Sequence, residues 1–344
     1  MCLAQEAIYA IPRRENLFSP KTMKAIRLED RNLILRDDSP IPIAKKRHCL
    51  VQIRSAALNR RDQWICEGAY PRIQNATLGS DGSGIVVEGD VFLGEEVVIC
   101  PSLHWGNTEA FQSEAYSILG MPTDGTFAEY CLVPTENVVP KPKHLSHEQA
   151  SALPLAGLTA WRALFTQGRL QKGEKLLITG IGGGVSTLAL QLAVAYGAHV
   201  WVTSSSEQKI QKAISLGAQG GVHYTNAGWE KELAPNFDVI LDGAGGPGLG
   251  ALVRKVAMGG RIVFYGGTSG AWPSILPQHL FFKQAHIIGS TMGSEADFVR
   301  LIEFVSQHTL VPVIEEVFPL QDYVRAFAAQ LDASKMGKVV LSIS

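Results

Sequence analysis

Apolar positions in this chain follow two alternating rhythms, and both are clearest between residues 174 and 205. Lys175–Thr179 is a short aliphatic run with glycine on either side, the pattern of a buried strand. Gly180, Gly182, Gly183 and Gly184 follow. Val185, Leu188, Ala189, Leu192, Ala193 and Tyr196 then fall on one face of a helix, which Gly197 ends. Ala198–Thr203 is a second strand, so the stretch predicts a βαβ unit with a glycine turn at its first corner.

Upstream the texture is β-rich. Lys24–Leu28, Ile34–Arg36, Cys49–Ala57, Gly84–Val87, Glu96–Cys100 and Phe127–Val133 read as short strands punctuated by Pro, Gly and Asp. Asn59–Cys66 predicts a brief helical turn, and 101–126 a long polar-aromatic loop. Helical pattern starts at Ser146, where Gln149 gives the capping-box spacing, and Pro154 interrupts it. Downstream, strands at Gly221–Tyr224, Phe237–Asp242, Gly260–Tyr265 and Ala285–Ser290 alternate with helices at Ile210–Leu216 and Gly248–Ala257. A helix over Ala296–His308, another near Gln321–Leu331 and a strand over Gly337–Ser342 close the chain. Strands alternating with helices predict a parallel sheet covered on both faces. The expected organisation is a β-rich domain of residues 23–153 and 288–344, interrupted by an α/β domain over 154–287. Residues 1–22 form an N-terminal extension outside the fold.

The glycines sit where a helix N-terminus offers unpaired amides and a favourable dipole to a phosphate. Gly180 and Gly182 fill the first two places of the dinucleotide fingerprint G-x-G-x-x-G, and Val185 stands at the third, where packing rather than binding is decided. The second strand runs into Ser204, Ser205 and Ser206, with Lys209 and Lys212 beyond, and lacks the acid that accepts from a ribose 2′-OH. Hydroxyls and ammonium groups suit a 2′-phosphate, which favours NADP(H) over NAD(H). Ser204 or Ser205 equally suits a helix N-cap completed by Glu207.

Composition narrows the rest. A chain of 344 residues, 46% hydrophobic and 18% charged, has room for about two globular domains. Its net charge of −1 advertises no nucleic-acid face, and no run reaches the roughly 18 apolar residues of a membrane span. Five scattered cysteines without a C-x-x-C pair argue against a disulfide framework and fit a reducing, cytoplasmic setting. The first 22 residues carry two acids and no sustained apolar core, unlike a secretory signal.

Six segments in order, ALNRRDQW (57–64), GSDGSG (79–84), DGTFAEY (124–130), LPLAGLTAW (153–161), ITGIGGGV (178–185) and GRIVFYGG (260–267), resemble the medium-chain dehydrogenase/reductase superfamily in its zinc-free, quinone-oxidoreductase-like branch, related to alcohol dehydrogenases. The resemblance implies an α/β fold: a GroES-like β-rich catalytic domain interrupted by a Rossmann doubly wound parallel-sheet domain. A cleft between them holds the nicotinamide, and subunits pair as a homodimer through the Rossmann sheet edge. Where zinc-dependent relatives place catalytic ligands, this chain has Asn59, Ser80 and Ala156, and 101–126 contains no cysteine of a structural zinc lobe. The expectation is therefore a zinc-free enzyme. Without a Lewis acid, hydride transfer is easier to a quinone or an α,β-unsaturated carbonyl, whose charge delocalises, than to a simple carbonyl. The implied activity is NADPH-dependent reduction of such a small molecule. A zinc-independent alcohol or aldehyde dehydrogenase and a low-turnover NADPH-binding sensor stand as alternatives.

Asn59 is the first catalytic candidate, as an amide donor to a carbonyl oxygen or to the cofactor ribose, against a plain turn-forming role. Tyr70 is the second, as proton donor or lid, against an ordinary Tyr-Pro turn. The family carry-over places Thr159 at the carboxamide, though a helix Thr also bonds back to a carbonyl. It places Gly180, Gly182, Gly183, Gly184 and Val185 at the pyrophosphate, and Ser204, Ser205, Lys209 and Tyr224 around the 2′-phosphate. Tyr265, Gly266 and Thr268 follow the GRIV strand, and Ser290, Thr291 and Met292 approach the nicotinamide; Lys338 is a weaker candidate near the cleft. His104 reads as a solvated loop residue, Cys66 as a buried apolar one, and Asp62 as structural.

Overall fold

The computed structural model describes residues 22–70, 75–233 and 236–343. All of the expected extension except Thr22 lies outside them. The first part contains strands β1 (Thr22–Glu29), β2 (Asn32–Pro40) and β3 (His48–Ala57), helix α1 (Arg60–Cys66), and strands β4 (Ala76–Thr77), β5 (Asp81–Glu88) and β6 (Glu96–Ile99). Strands β7 (Ser102–Leu103), β8 (Ser117–Ile118), β9 (Tyr130–Pro134) and β10 (Val138–Pro140) follow. Helices α2 (His147–Ser151) and α3 (Pro154–Trp161) lead into β11 (Lys175–Ile178), α4 (Gly184–Tyr196), β12 (His199–Ser204), α5 (Glu207–Ser215), β13 (Gly220–His223) and β14 (Phe237–Asp242). The rest is α6 (Leu249–Lys255), β15 (Val256–Phe264), α7 (Gln278–Phe281), β16 (His286–Gly289), α8 (Glu295–Gln307), β17 (Ile314–Pro319), α9 (Tyr323–Leu331) and β18 (Lys338–Ser342).

The parallel sheet runs β13-β12-β11-β14-β15-β16, the strand order of a doubly wound dinucleotide fold. Side-chain alternation divides its residues between two cores. Leu176, Ile178, Val239 and Leu241 pack with α3, α4 and α8, while Leu177, Ile240 and Ile262 pack with α6. Both faces are thus apolar, which is why these strands read as continuous aliphatic runs. Gly197, at φ +93°, ends α4 in the left-handed region that a side chain would resist. Ser146 and Gln149 close the expected capping box on α2, at 3.2 and 3.0 Å.

The second large sheet runs β10-β6-β5-β3-β18-β17, with β9 also paired to β3. Here β18, from the far end of the chain, lies antiparallel beside β3. The expected boundary at 288 falls too early. Strand β16 completes the parallel sheet, and Phe298, Leu301, Ile302 and Val305 of α8 enter the core beneath it. The chain rejoins the first domain only at Ile314. Helix α6 also stops short of the expected Ala257, because Val256 already pairs with Phe237.

The 101–126 segment is tied down. Buried Arg162 donates to Asp297 Oδ2 at 2.9 Å and to the carbonyls of Glu109 and Ala110 at 2.9 and 2.7 Å. Its guanidinium lies 4.7 Å from the Trp105 ring, itself buried, so that indole belongs to the core. Asp297 also accepts from Thr166 and Arg300. Burial pushes the Asp297 carboxyl up, but hydrogen bonds from Arg300, Thr166 and Arg162 outweigh it and hold the group below the usual range.

Candidate active site

Residues from both domains line one cleft of about 630 Å³. Its floor is set by strand register. Ala57 is paired with Asp81 of β5 on one side and Val340 of β18 on the other, so the ends of three strands meet where β3 gives way to α1. Lys338 Nζ donates to Asn59 Oδ1 at 2.6 Å, to Leu58 O at 2.7 Å and to Asp81 Oδ2 at 2.9 Å. Asn59 Nδ2 donates to the same Asp81 oxygen at 2.9 Å, and Asp81 Oδ1 accepts from the Leu155 backbone at 2.7 Å. The ammonium can only donate, so it fixes which end of the Asn59 amide is oxygen. One Nδ2 hydrogen is engaged by Asp81; the amide carries a second. Asn59, Asp81 and Lys338 are all buried, and Asn59 and Lys338 border the cleft.

Below this floor the Asn59 backbone N–H donates to Asp62 Oδ2 at 2.7 Å. Asp62 is wholly buried, and desolvation raises its carboxyl to about 6 despite the nearby charge of Arg61 and the Asn59 bond. Arg61 itself, which carried no local signal, is a wall of the cleft at 5% exposure. Its nearest bonds go to Ser80 Oγ (3.1 Å) and to the carbonyls of Leu119 (3.3 Å), Ile118 (3.4 Å) and Met121 (2.8 Å), all 19–60 positions away. Tyr70 lines the same end, its ring 5.4 Å from the Arg61 guanidinium. Cys66 is half-buried, and burial pushes its thiol up to about 11.

The other half of the cleft is the glycine turn. Gly180 and Gly182 adopt φ of +61° and +126°, and a Cβ on Gly182 would meet Lys209 Nζ at 2.8 Å. Gly183 caps α4, and Gly184 passes so close to Lys338 that a Cβ would lie 2.8 Å from its stem. Val185 borders the cleft and rests on the core. Thr159 Oγ1 gives its proton to Leu155 O at 2.7 Å, the local bond expected of a helix Thr, and retains acceptor capacity toward the cleft. Tyr265, Gly266, Thr268, Thr291 and Met292 complete the lining. A Cβ on Gly266 would meet Gly243 O at 2.7 Å, so close backbone approach demands glycine there. Lys209 reaches over the mouth to donate to Ala333 O at 2.6 Å.

Four expected contacts lie elsewhere. Ser204 is buried, and its hydroxyl accepts from the Ser206 backbone at 3.1 Å. Ser204 is the last residue of β12 and stays within the covered sheet, while Ser205 lies beyond the strand and is exposed. The α5 cap is neither of them but Ser206. Tyr224 stands 43% exposed, and Ser290 is half-buried with its hydroxyl unpartnered among the described residues. None of Ser204, Ser205, Tyr224 or Ser290 borders the cleft. The rim at Ala329–Ala333, with Glu315 and Lys335, is set by chain return after α9 and carried no sequence signal.

Residues 45–143 match the sequence model described as an alcohol dehydrogenase GroES-like domain, and 184–307 that of a zinc-binding dehydrogenase. A zinc-type alcohol dehydrogenase-like protein, YogA, of Leptosphaeria maculans is 35% identical over 84% of this chain and 87% of its own. The chain belongs to the medium-chain dehydrogenase/reductase superfamily. The quinone oxidoreductase of Mus musculus, within the same superfamily, is 26% identical over 93% of this chain and 98% of its own. A solved structure described as an NAD-dependent alcohol dehydrogenase superposes with a TM-score of 0.87 at 34% identity, covering 94% of this chain and all of that one. This is an oxidoreductase family that binds NAD(P), and the GroES-like and Rossmann halves expected from the sequence are both present.

At the place of the family's zinc ligands the donors are the Asn59 amide, the Ser80 hydroxyl, bonded to Leu119 O at 2.7 Å, and Ala156, which has none. Asp81 is the nearby carboxylate and already serves Lys338, Asn59 and Leu155. Among the described residues no group of three or more His, Cys, Asp or Glu is placed to hold a metal. Zinc wants thiolate, imidazole or carboxylate around a tetrahedron, and this set does not fit it.

Proposed function

We propose that the protein is a zinc-free, NADPH-dependent reductase of quinones or α,β-unsaturated carbonyls. The observation that supports this reading is the donor set at the places expected for zinc ligands: the Asn59 amide, already bonded to Lys338 and Asp81, the Ser80 hydroxyl and Ala156. The dinucleotide, when bound, supplies a hydride. Gly180, Gly182, Gly183, Gly184 and Val185 would hold its pyrophosphate with backbone amides and the α4 dipole. Thr159 would accept from the carboxamide, and Met292, Thr291, Tyr265, Gly266 and Thr268 would shape the bed of the nicotinamide half. Lys209 would be the cation for the 2′-phosphate, with Ser205 and Tyr224 exposed at the end of β12.

Asn59 directs its second Nδ2 hydrogen at the acceptor's carbonyl oxygen, where charge accumulates during reduction. Lys338 and Asp81 hold that amide in one orientation, so no reorganisation is needed as the charge appears. Trp64, Ile118 and Leu155 keep the acceptor end apolar, and Tyr70 closes it. An acceptor that spreads its negative charge over a conjugated system needs no more than this. Reduced-nicotinamide absorbance should fall with quinones or short enones, faster with NADPH than with NADH, and metal analysis should find substoichiometric zinc. Chelator-sensitive ethanol oxidation with stoichiometric zinc would sink the reading.

A homodimer belongs to the same proposal. Strand β16 is the last of the parallel sheet among the described residues, beside exposed Leu276, Phe281 and Phe282. Sedimentation should give twice the 37.2 kDa chain mass, and Ile287→Pro, which removes an edge N–H, should give a monomer.

A further inference from the structure

Arg61 is a charged group in an expensive place. A guanidinium cannot shed its proton at ordinary pH, and burial here pushes its pKa down, so the folded protein bears the cost of a desolvated cation. Buried charges are normally neutralised. Among the described residues Arg61 makes no ion pair: its partners are one hydroxyl and three backbone carbonyls, all neutral, and its Nε finds none. Asp62, the neighbouring carboxylate, turns Oδ2 to the Asn59 N–H instead. Lys338, the other buried cation of the cleft, is by contrast matched by Asp81 at 2.9 Å.

A clamp for the 118–121 turn needs donors but no charge, and the neighbouring Asp62 carboxylate meets this one through its field alone. The charge lines the same cleft as Trp64, Tyr70, Ile118 and Leu155, with the Tyr70 ring and the Ile118 carbonyl against it. A fixed cation set beside apolar side chains is complementary to a flat apolar molecule bearing one negative group.

We infer that Arg61 selects acceptors carrying a carboxylate, so that the natural substrate is a conjugated carbonyl compound with an acidic group. This rests on the reductase reading and names its substrate class. The probe pair is 4-oxo-4-phenylbut-2-enoate and its methyl ester. Hydride and a proton add across the carbon–carbon double bond of either as the cofactor is oxidised, and the ester is intrinsically the better hydride acceptor. Wild-type protein should nevertheless show kcat/KM at least tenfold higher for the carboxylate. Arg61→Gln should reverse the order, and Arg61→Lys should restore part of the preference.

Binding of the saturated pair, 4-oxo-4-phenylbutanoate and its amide, read by calorimetry on the wild-type protein with NADP⁺ present, tests the same point without turnover or a variant. Carboxylate affinity at least tenfold above the amide supports the inference. Equal or weaker carboxylate binding overturns it, as does a preference that survives Arg61→Gln. If the carboxylate binds selectively but neither enone is reduced, the reductase reading fails and the anion selectivity stands.

Discussion

Lys338 and Asn59 are 279 positions apart in sequence and 2.6 Å apart in the cleft floor. If Lys338 acts by orienting the Asn59 amide, their substitutions should not add. Asn59→Ala removes a donor to developing charge and is expected to lower kcat by about 10²-fold. Lys338→Met should lower it similarly, and the double variant should be no worse than Asn59→Ala alone. NADPH affinity should hold within about threefold in all three. Additive losses in kcat would mean that Lys338 works on something other than Asn59.

Lys209 places its ammonium beside Gly182 and over the cleft mouth. Lys209→Ala should raise the Kd for NADPH about tenfold and leave NADH within about twofold, since a 2′-phosphate loses a charge-assisted bond that a 2′-hydroxyl never made. Tyr224→Phe should change neither by more than about twofold. Fluorescence titration of the reduced cofactors reads both.

The ion pair of Arg162 with Asp297 joins the 101–126 segment to α8. Arg162→Leu leaves a buried carboxylate with Thr166, Arg300 and the Ser294 backbone N–H, and should cost about 3 kcal/mol in urea unfolding. Because the Asp297 pKa is lowered on folding, its stabilisation is present above the unfolded aspartate value near ~4 and lost as pH falls through the folded one.

Asp62 should behave in the opposite sense. Its folded carboxyl titrates at about 6, above the unfolded value, so the folded state binds more protons between the two. Its contribution to stability therefore grows as pH falls from about 6 toward ~4. Asp62→Asn should be at its most favourable, relative to wild type, at neutral pH, and that advantage should shrink by pH 5 in paired unfolding curves. A pH-independent difference would show that Asp62 stays ionised.

What was legible in the chain is what neighbours in sequence decide. The glycine turn, the stripe of α4 and its Gly197 stop lie within one local stretch, and β11–α4–β12 formed as the spacing required. Ser204 and Ser205 were separable only by where β12 ends: Ser204 still pairs with His223 of β13, and Ser205 lies beyond. Arg61 was illegible because its hydrogen-bond partners lie far along the chain; those at Ile118, Leu119 and Met121 arrive through the long loop. The pairing of Asp81 with Lys338 depends on a sheet register closed by the far end of the chain.

That register has a consequence for how the enzyme comes into being. The sheet that presents Asn59 and Asp81 keeps a gap between β3 and β17 until β18 slots into it, and the strand that fills the gap carries Lys338. A ribosome will have released the whole parallel-sheet half, able to compact on its own local contacts, before the half begun first can finish. A nascent chain stalled short of residue 338 would thus carry a nearly complete nucleotide fold beside an amide with nothing to aim it.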